Sequence, residues 1–271
     1  MEIGSRNFQV DQHTYIMGIL NVTPDSFSDG GKFKEKDAAL FHTQQMIEEG
    51  ADIIDIGGES TRPGHVQISI QEEIQRTASL VELIKTRFHV PISIDTYKSQ
   101  VAQEAIMAGA DLVNDIWGLK YDVKMAEVIA KSKVACCLMH NRNHMVYDNF
   151  MKEVKEDLKE SITLAKAAGI ADDKIILDPG VGFGKTYEQN LEVICKLEEL
   201  HEQGYPLLLG TSRKSVIGFA LNLPVTERVE GTLTTTVMAV MKHCAFVRVH
   251  DVKENKRAIQ MVKAIEEGWK P

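Results

Sequence analysis

IMGILNVTPDSFSDGG, residues 16–31, joins an apolar run to a long polar loop. The run from Ile16 to Leu20 has the length and composition of a buried strand, and Asn21 follows it directly. Pro24 and the glycine pair at 30–31 interrupt regular structure in the loop. A polar loop at the end of a buried strand is a common position for ligand chemistry in α/β proteins. The stretch therefore predicts a binding site near Asn21.

The rest of the chain repeats one pattern, in which an apolar run is followed by a polar segment and then by an amphipathic helix. Eight short apolar runs predict strands, and eight longer segments with apolar residues three or four apart predict helices. The strands are predicted at 16–20, 53–56, 92–94, 112–113, 134–139, 175–177, 207–209 and 246–249, and the helices at 37–49, 70–87, 99–108, 123–131, 150–168, 187–201, 226–242 and 254–266. Eight βα units are typical of a closed (β/α)8 TIM barrel, whereas a doubly wound sheet more often has fewer strands. We therefore expect one barrel domain over residues 1–271.

Composition narrows the class of protein. The 271 residues include 31 basic and 39 acidic side chains, a net charge of −8, so nucleic acid or an anionic membrane is not expected as the main partner. None of the four cysteines forms a C-x-x-C pair, and we expect reduced thiols. The N-terminal residues lack an apolar signal region, and no apolar run has the length of a membrane span. The expected location is the cytoplasm.

Polar residues follow all eight predicted strands. In a barrel, the carboxyl ends of the strands carry the chemistry. A single aspartate there often only caps the next segment, but polar residues at every end predict an active-site face. Arg248 and His250 are two apart on one strand, share a face and suggest an anion site. The strand-end residues are Asn21, Asp55 with Glu59, Asp95, Asn114, His140, Asp178, Ser212 with Lys214, and Arg248 with His250.

One glycine-rich segment resembles nucleotide-binding motifs without matching them. DPGVGFGKT, residues 178–186, has Pro179 where a phosphate loop needs its first glycine, and its G-x-G-x-G spacing is not the dinucleotide fingerprint. We expect these glycines to let Phe183 lie close to a flat ligand. GESTRPG, residues 58–64, holds Arg62 between threonine and proline, either near the ligand or in a plain surface turn.

TSRKS, residues 211–215, puts Ser215 at the start of a short helix predicted at 216–221. A helix N-terminus favours a carboxylate or phosphate, although a simple serine cap is the alternative. We expect carboxylates low on the strands, at Asp95 and Asp178. The cations Arg62, Lys214, Arg248 and His250 are expected nearer the loops. This arrangement suits a polar ring with an anionic tail.

Several of these segments together resemble the dihydropteroate synthase family. The resemblance lies in MGILNVTPDSFSDGG (17–31), DIGGESTRPG (55–64), SIDTYK (93–98), ND (114–115), LMH (138–140), LDPGVGFGKT (177–186), TSRKS (211–215) and RVHDV (248–252). It implies a dimeric (β/α)8 barrel with Mg²⁺. The implied reaction condenses 6-hydroxymethyl-7,8-dihydropterin diphosphate with p-aminobenzoate by an SN1-like substitution without a covalent enzyme nucleophile.

The resemblance also implies a role for each matching residue. It places the pterin against Asp95, Asn114, Met139, Asp178, Gly210 and Lys214. It places the diphosphate against Asn21, Arg62, Arg248 and His250, with Mg²⁺ near Asn21 and Asp25. It places p-aminobenzoate against Phe27, Thr61, Arg62, Pro63, Phe183, Lys214 and Ser215. The implied catalytic residues are Asp95, Lys214, Arg248 and His250, and residues 25–31 are expected to form a lid that is poorly ordered without substrates.

Two other functions remain open at the level of sequence. A methyltetrahydrofolate-dependent methyltransferase of the same barrel type would share the pterin-facing residues, but we would not expect it to need TSRKS or the Arg248-x-His250 pair. A non-catalytic pterin-binding barrel is the second alternative, and Asp95, Lys214 and Arg248 argue against it.

Overall fold

Ten strands and nine helices make up the regular structure of the residues that the computed structural model describes, which are 1–22, 31–59 and 66–268, with only the backbone of 31–35. The strands are β1 (Glu2–Ile3), β2 (Arg6–Asn7), β3 (Tyr15–Asn21), β4 (Ile53–Gly57), β5 (Ile92–Asp95), β6 (Leu112–Asp115), β7 (Ala135–Met139), β8 (Ile175–Asp178), β9 (Leu208–Leu209) and β10 (Phe246–Val249). The helices are α1 (Gly31–Glu49), α2 (Ile70–Arg87), α3 (Ser99–Met107), α4 (Met125–Ser132), α5 (Phe150–Ala168), α6 (Tyr187–Cys195), α7 (Ser215–Leu221), α8 (Val229–Met241) and α9 (Val252–Glu267).

Eight parallel strands form the barrel. Their order around the sheet is β8-β7-β6-β5-β4-β3-β10-β9, and a parallel bridge between Leu177 and Leu207 joins the two ends. This confirms the predicted (β/α)8 fold.

The predicted elements differ from the structure mainly at their ends. Most strands run one or two residues further than their apolar runs, so Asn21, Asp95 and Asp178 belong to strands. The helix predicted at 187–201 is α6 followed by a 3-10 segment at Leu197–Gln203, and α8 begins at Val229 after a 3-10 turn. The pair β1–β2 was not predicted, because two-residue strands leave no periodic pattern to detect.

Successive side chains along each strand point alternately into the barrel and outward to the helices. On β10, Val247 and Val249 pack in the large cluster with the helices, whereas Phe246 lies in an inner cluster and Arg248 contacts inward residues of β4 and β5. The neighbouring cysteines of β7 divide in the same way, Cys136 outward and Cys137 inward. The period of two in a strand therefore decides which side chains can reach a ligand in the barrel.

The β1–β2 hairpin covers the amino-terminal end of the barrel. Ile3 and Phe8 join the inner cluster with Met17 and Phe246, and the Phe8 ring lies 4.8 Å from the ring of Tyr15 and 5.7 Å from that of Phe246. The hairpin closes this end with apolar side chains. The open end is therefore the one where the strands finish.

Replacing Phe8 by alanine is expected to lower the free energy of unfolding by about 3–5 kcal/mol, because the ring is buried and leaves a cavity. Phe219→Ala is the matched control, since that ring is 72% exposed and its loss should cost under about 1 kcal/mol. Denaturant unfolding followed by circular dichroism measures both. Equal losses would show that the hairpin does not seal the barrel.

No helix within the described residues is both long and apolar enough to span a bilayer.

Candidate active site

Strand pairing aligns polar residues in one row at the carboxyl ends. Asn21 pairs with Gly57, Gly57 pairs with Asp95, and Asp95 pairs with Asn114. The row continues from Asn114 to Cys137 on β7 and Ile176 on β8, and Asp178 lies two positions further along β8, where it pairs with Met139. The parallel register thus brings Asn21, Asp95 and Asn114 together at the ends of their strands, with Asp178 just beyond them. The row confirms that the polar strand ends converge on one face.

Arg248 lies at the centre of this face, between two carboxylates. Its Nε donates to Asp55 Oδ2 at 2.6 Å, and its Nη2 donates to Asp95 Oδ2 at 2.7 Å. Burial opposes the charge of Arg248, but the two carboxylates outweigh burial and raise its pKa further. The sequence interpretation put Arg248 among the cations nearer the loops, and the structure shows it bonded directly to Asp55 and Asp95. Its side chain points inward from the third residue of β10, so it reaches both carboxylates.

Asp95 is a buried carboxyl at this face with a raised pKa. It is 4% exposed, and burial raises its pKa to about 7, although Arg248 acts in the opposite direction. Among the described residues, its Oδ1 and the Oδ1 of Asp55 are buried without a hydrogen-bond partner. Buried carboxylate oxygens normally have partners. Asp95 is therefore suited to receive hydrogen bonds from a bound ligand.

Asp178, Lys214 and Arg248 meet around Gly210. A Cβ atom added at Gly210 would lie 3.7 Å from Asp178 Oδ2, 3.9 Å from Lys214 Nζ and 3.8 Å from Arg248 Cβ. Burial raises the pKa of Asp178. Burial also lowers the pKa of Lys214 to about 8, although the nearby Asp178 carboxylate acts in the opposite direction. Because Gly210 has no side chain, space remains between these charged groups.

An apolar wall stands beside the charged groups. Tyr97, Ile116 and Met139 form a small buried cluster, and Trp117 and Phe183 pack against it. The Lys214 ammonium lies 4.8 Å from the centre of the Phe183 ring and donates to the carbonyl of Val181 at 2.6 Å. Flat apolar surfaces next to carboxylates can hold a heterocycle by its face and its edge.

His250 follows β10 and pairs with Ser212. The Ser212 Oγ accepts from the His250 backbone N–H at 3.1 Å and lies 2.9 Å from the ring Nδ1. The hydroxyl can donate its proton to Nδ1 or accept a second bond from it, so this contact serves either tautomer of His250. Ser215 is the exposed first residue of α7, as the sequence indicated.

Five sequence-predicted site residues lie outside the described residues. They are Asp25, Phe27, Thr61, Arg62 and Pro63, and the proposed lid at 25–31 falls almost entirely outside them as well. Their assigned roles stay predictions. The other predicted residues, namely Asn21, Asp95, Asn114, Met139, Asp178, Phe183, Gly210, Lys214, Ser215, Arg248 and His250, all lie at or next to the carboxyl ends of the strands.

Sequence reasoning missed two buried contributors. Asp55 was noted only as a strand-end residue, but it is fully buried and holds Arg248. Lys185 lies in the segment 178–186, which does not match a phosphate loop, yet its side chain is buried beside His140. A charged residue on the inward face of a predicted barrel strand could have revealed Asp55. For Lys185 the sequence offered no comparable signal.

A buried charge cluster supports the β4 end of the face. Lys98 Nζ donates at 2.7 Å to both Glu59 Oε2 and Glu73 Oε2, and the Tyr97 hydroxyl donates to Glu59. The Lys98 ammonium also donates to the Ile68 carbonyl at 2.9 Å. The cluster therefore joins the ends of β4 and β5 to the start of α2.

A cavity of about 410 Å³ lies at the other end of the barrel, lined in part by Arg6, Tyr15, Asp52 and Lys256. None of the polar residues at the carboxyl ends of the strands lines this cavity. The charged groups at those carboxyl ends, and not this cavity, therefore mark the active site.

Comparison with known proteins agrees with this location. Residues 17–250 match the model of the pterin binding enzyme family. A dihydropteroate synthase of Clostridium beijerinckii is 61% identical over 98% of this chain and 99% of its own length. A crystal structure of the dihydropteroate synthase from Clostridium difficile, solved in the presence of pteroic acid, has a TM-score of 0.94 and 51% identity over 97% of this chain and all of that one. The Xanthomonas albilineans enzyme with 4-aminobenzoic acid has a TM-score of 0.91 and 37% identity over 95% of each chain. This chain belongs to the pterin-binding enzyme family, as one of its dihydropteroate synthases.

Proposed function

We propose that the protein condenses 6-hydroxymethyl-7,8-dihydropterin diphosphate with p-aminobenzoate to give 7,8-dihydropteroate and diphosphate. The observation that carries the proposal is the meeting of Asp178, Lys214 and Arg248 around the open position at Gly210, with Asp95 bonded to Arg248. The related structures were solved in the presence of pteroic acid and with 4-aminobenzoic acid, and these ligands support the same pair of substrates.

The pterin ring would interact with the carboxylates through its edge. A pterin edge carries adjacent N–H donors, which suit the buried oxygens of Asp95 and Asp178. Asn114 can both donate and accept, and its Nδ2 lies 3.5 Å from Asp55 Oδ2. Met139 and Gly210 would leave a flat slot for the ring. These assignments are part of the proposal.

The reaction would begin with loss of diphosphate. The C–O bond breaks with its electron pair on the diphosphate, and the resulting pterin-methylene cation then forms a C–N bond with the amine. The proton on that nitrogen passes to solvent. The Asp95 carboxylate would offset the positive charge on the pterin, while Lys214 and His250 would stabilise the departing anion. Our scheme contains no general base and no covalent nucleophile.

Asn21 and Asp25 would hold Mg²⁺ together with the diphosphate. The Asn21 Oδ1 would lie 3.5 Å from a Cβ added at Gly57, so this hard oxygen ligand stands at the end of β3 beside the charged face. Among the described residues, no group of three histidine, cysteine, aspartate or glutamate side chains could hold a metal by itself. A site completed by substrate phosphates fits this limited donor set. When bound, Mg²⁺ would neutralise charge on the diphosphate.

Removal of Mg²⁺ by a chelator is therefore expected to reduce turnover by at least about tenfold, since the leaving group would keep its charge. Adding Mg²⁺ in excess of the chelator should restore the rate, and this serves as the control. Full activity in the chelator would remove the metal from the scheme.

Binding of the pterin ring should depend on pH with the sign set by Asp95. Its raised pKa of about 7 means that the carboxyl is neutral below that pH and charged above it. Only the charged form offers full acceptor strength to the ring N–H groups, so affinity should fall as the pH drops through 7. Calorimetry with 6-hydroxymethyl-7,8-dihydropterin isolates this effect, because that ligand has no diphosphate to titrate. Constant affinity from pH 6 to 8 would contradict the assignment.

A turnover assay tests the function itself. Purified protein with both substrates and Mg²⁺ should release diphosphate and form 7,8-dihydropteroate in equal amounts, as measured by a coupled phosphate assay and by chromatography. Omitting p-aminobenzoate should leave no dihydropteroate. Failure to form product with both substrates present, despite correct folding, would refute the proposal.

The proposal extends to a cytoplasmic homodimer. The family resemblance supports dimerisation. Light scattering would give the molar mass in solution, and fractionation of the source cells would give the compartment. A monomer at assay concentration would contradict the first part, and recovery outside the cytoplasm would contradict the second.

A further inference from the structure

The Lys185 side chain turns into the protein between the ends of β7 and β8. It is 5% exposed. Its Nζ lies 2.7 Å from His140 Nδ1, 3.0 Å from the Gly180 carbonyl and 3.1 Å from the Phe183 carbonyl. Burial lowers the pKa of Lys185 to about 7. In its ammonium form the group has three protons, and these three acceptors use all of them. Lys185 therefore ties both ends of the segment 180–183 to each other and to β7.

His140 continues this connection to α5. Burial lowers the pKa of His140 to about 4, so the ring is neutral at physiological pH. With Nδ1 accepting from Lys185, the ring proton is on Nε2, which lies 3.0 Å from Asp157 Oδ2. Arg142 donates to the same carboxylate through Nε at 2.5 Å. The partners of Lys185 are thus fixed by further hydrogen bonds.

The backbone of the loop after β8 lies directly against β7 and the residues after it. Gly180 has φ +71°, and a Cβ there would be 1.8 Å from the His140 carbonyl oxygen. Gly184 has φ +55°, and a Cβ there would be 2.5 Å from the Arg142 carbonyl oxygen. Both positions need glycine for conformation and for space. The loop can therefore approach closely enough for Lys185 to bridge it.

This loop forms one side of the active site through Phe183. The Phe183 ring packs near the Lys214 ammonium, which donates to the Val181 carbonyl in the same loop. Lys185 holds residues 180 and 183 from inside the protein, and Lys214 holds residue 181 from the side of the site. All protons of Lys185 are occupied, so its effect on a substrate would be indirect.

We propose that Lys185 is a positioning residue for p-aminobenzoate. It is anchored on His140, and from there it holds the loop that carries Phe183 in place. This inference rests on the function proposed above. Asp95 and Asn114 belong to β5 and β6, and the bonds described for Lys185 do not involve either residue. Asp178 is connected to Lys185 through Gly180, whose N–H donates to Asp178 Oδ1 at 2.7 Å while its carbonyl accepts from Lys185. The residue should therefore affect one substrate more than the other.

Lys185→Met tests this selectivity, since methionine fills similar space without the three donors. The KM for p-aminobenzoate should rise by at least about tenfold while that for the pterin diphosphate changes by less than about threefold. Lys85→Met is the matched control, because Lys85 pairs with Asp111 at the amino-terminal ends of the strands. Its kinetic constants should stay within about twofold of wild type. Unchanged or equally raised KM values in Lys185→Met would overturn the proposal.

Two variants of His140 keep the proposal testable if Lys185→Met does not fold. Asparagine places an acceptor oxygen near the position of Nδ1, whereas leucine removes it. His140→Asn should keep a KM for p-aminobenzoate close to wild type, and His140→Leu should show the rise expected for Lys185→Met. Equal KM values in the two variants would overturn the proposal.

The outcomes separate this inference from the function on which it depends. A wild-type protein without turnover refutes the proposed function. A wild-type protein with full turnover, combined with an unchanged p-aminobenzoate KM in the variants, refutes only the role of Lys185.

Discussion

Replacing Asp95 by asparagine is expected to reduce kcat by about 10³-fold, the range seen when one preorganised charge-stabilising group is lost. Asparagine keeps the shape of the side chain but lacks the negative charge that would offset the pterin cation. It also weakens the contact with Arg248, whose Nη2 lies 2.7 Å from Asp95 Oδ2. The variant should still fold, since removing a buried charge near Asp55 also removes repulsion.

Asp111→Asn is the control for this experiment. Asp111 is also a partly buried aspartate with a basic partner, Lys85 at 2.9 Å, but it lies at the other end of the strands. Steady-state kinetics should show kcat within about twofold of wild type for Asp111→Asn. A wild-type rate for Asp95→Asn would remove the carboxylate from the catalytic scheme.

Replacing Arg248 by methionine is expected to lower the free energy of unfolding by about 3–5 kcal/mol, because it leaves buried carboxylates without their partner. Asp55 is fully buried and Asp95 nearly so. Turnover should also be lost. Because Arg248 contacts Asp95, binding of a pterin without diphosphate should weaken too. Loss of a residue that contacts only the diphosphate would leave that binding unchanged.

A second substitution tests the cause of that instability. In the double variant Arg248→Met/Asp55→Asn, one uncompensated charge disappears, and a large part of the stability should return while activity stays low. Arg6→Met is the control, since Arg6 pairs with Asp52 while its side chain is 42% exposed, and its loss should cost about 1 kcal/mol or less. Chemical denaturation measures all three. Equal stabilities for Arg248→Met and wild type would show that the buried pairs contribute nothing net.

The barrel was predictable because its strands and helices carry strong periodic patterns. The runs at 53–56 and 246–249 are buried strands, and the helices Ile70–Arg87 and Phe150–Ala168 have the predicted bounds. The β1–β2 hairpin was not predictable in this way, since its stability comes from Phe8 packing on Phe246 in a distant part of the chain. Local pattern cannot report such a contact.

The location of the site was predictable from topology, but its internal pairing was not. Parallel strands bring all their carboxyl ends to one face, so Asn114 and Asp178 could be grouped before any coordinates were known. Which cation meets which carboxylate depends on strand tilt and side-chain length. For this reason Arg248 reaches Asp55 and Asp95, and Lys185 turns inward to His140.

The central claim is that the strand-end residues bind the pterin ring inside the barrel mouth. A crystal structure with 6-hydroxymethyl-7,8-dihydropterin diphosphate and Mg²⁺ tests it most directly. We expect the ring edge within hydrogen-bond distance of Asp95, Asn114 and Asp178, with its face against Met139 and the diphosphate toward Asn21 and His250. A pterin found away from these residues, for example in the cavity beside Arg6 and Tyr15 at the opposite end, would contradict the account.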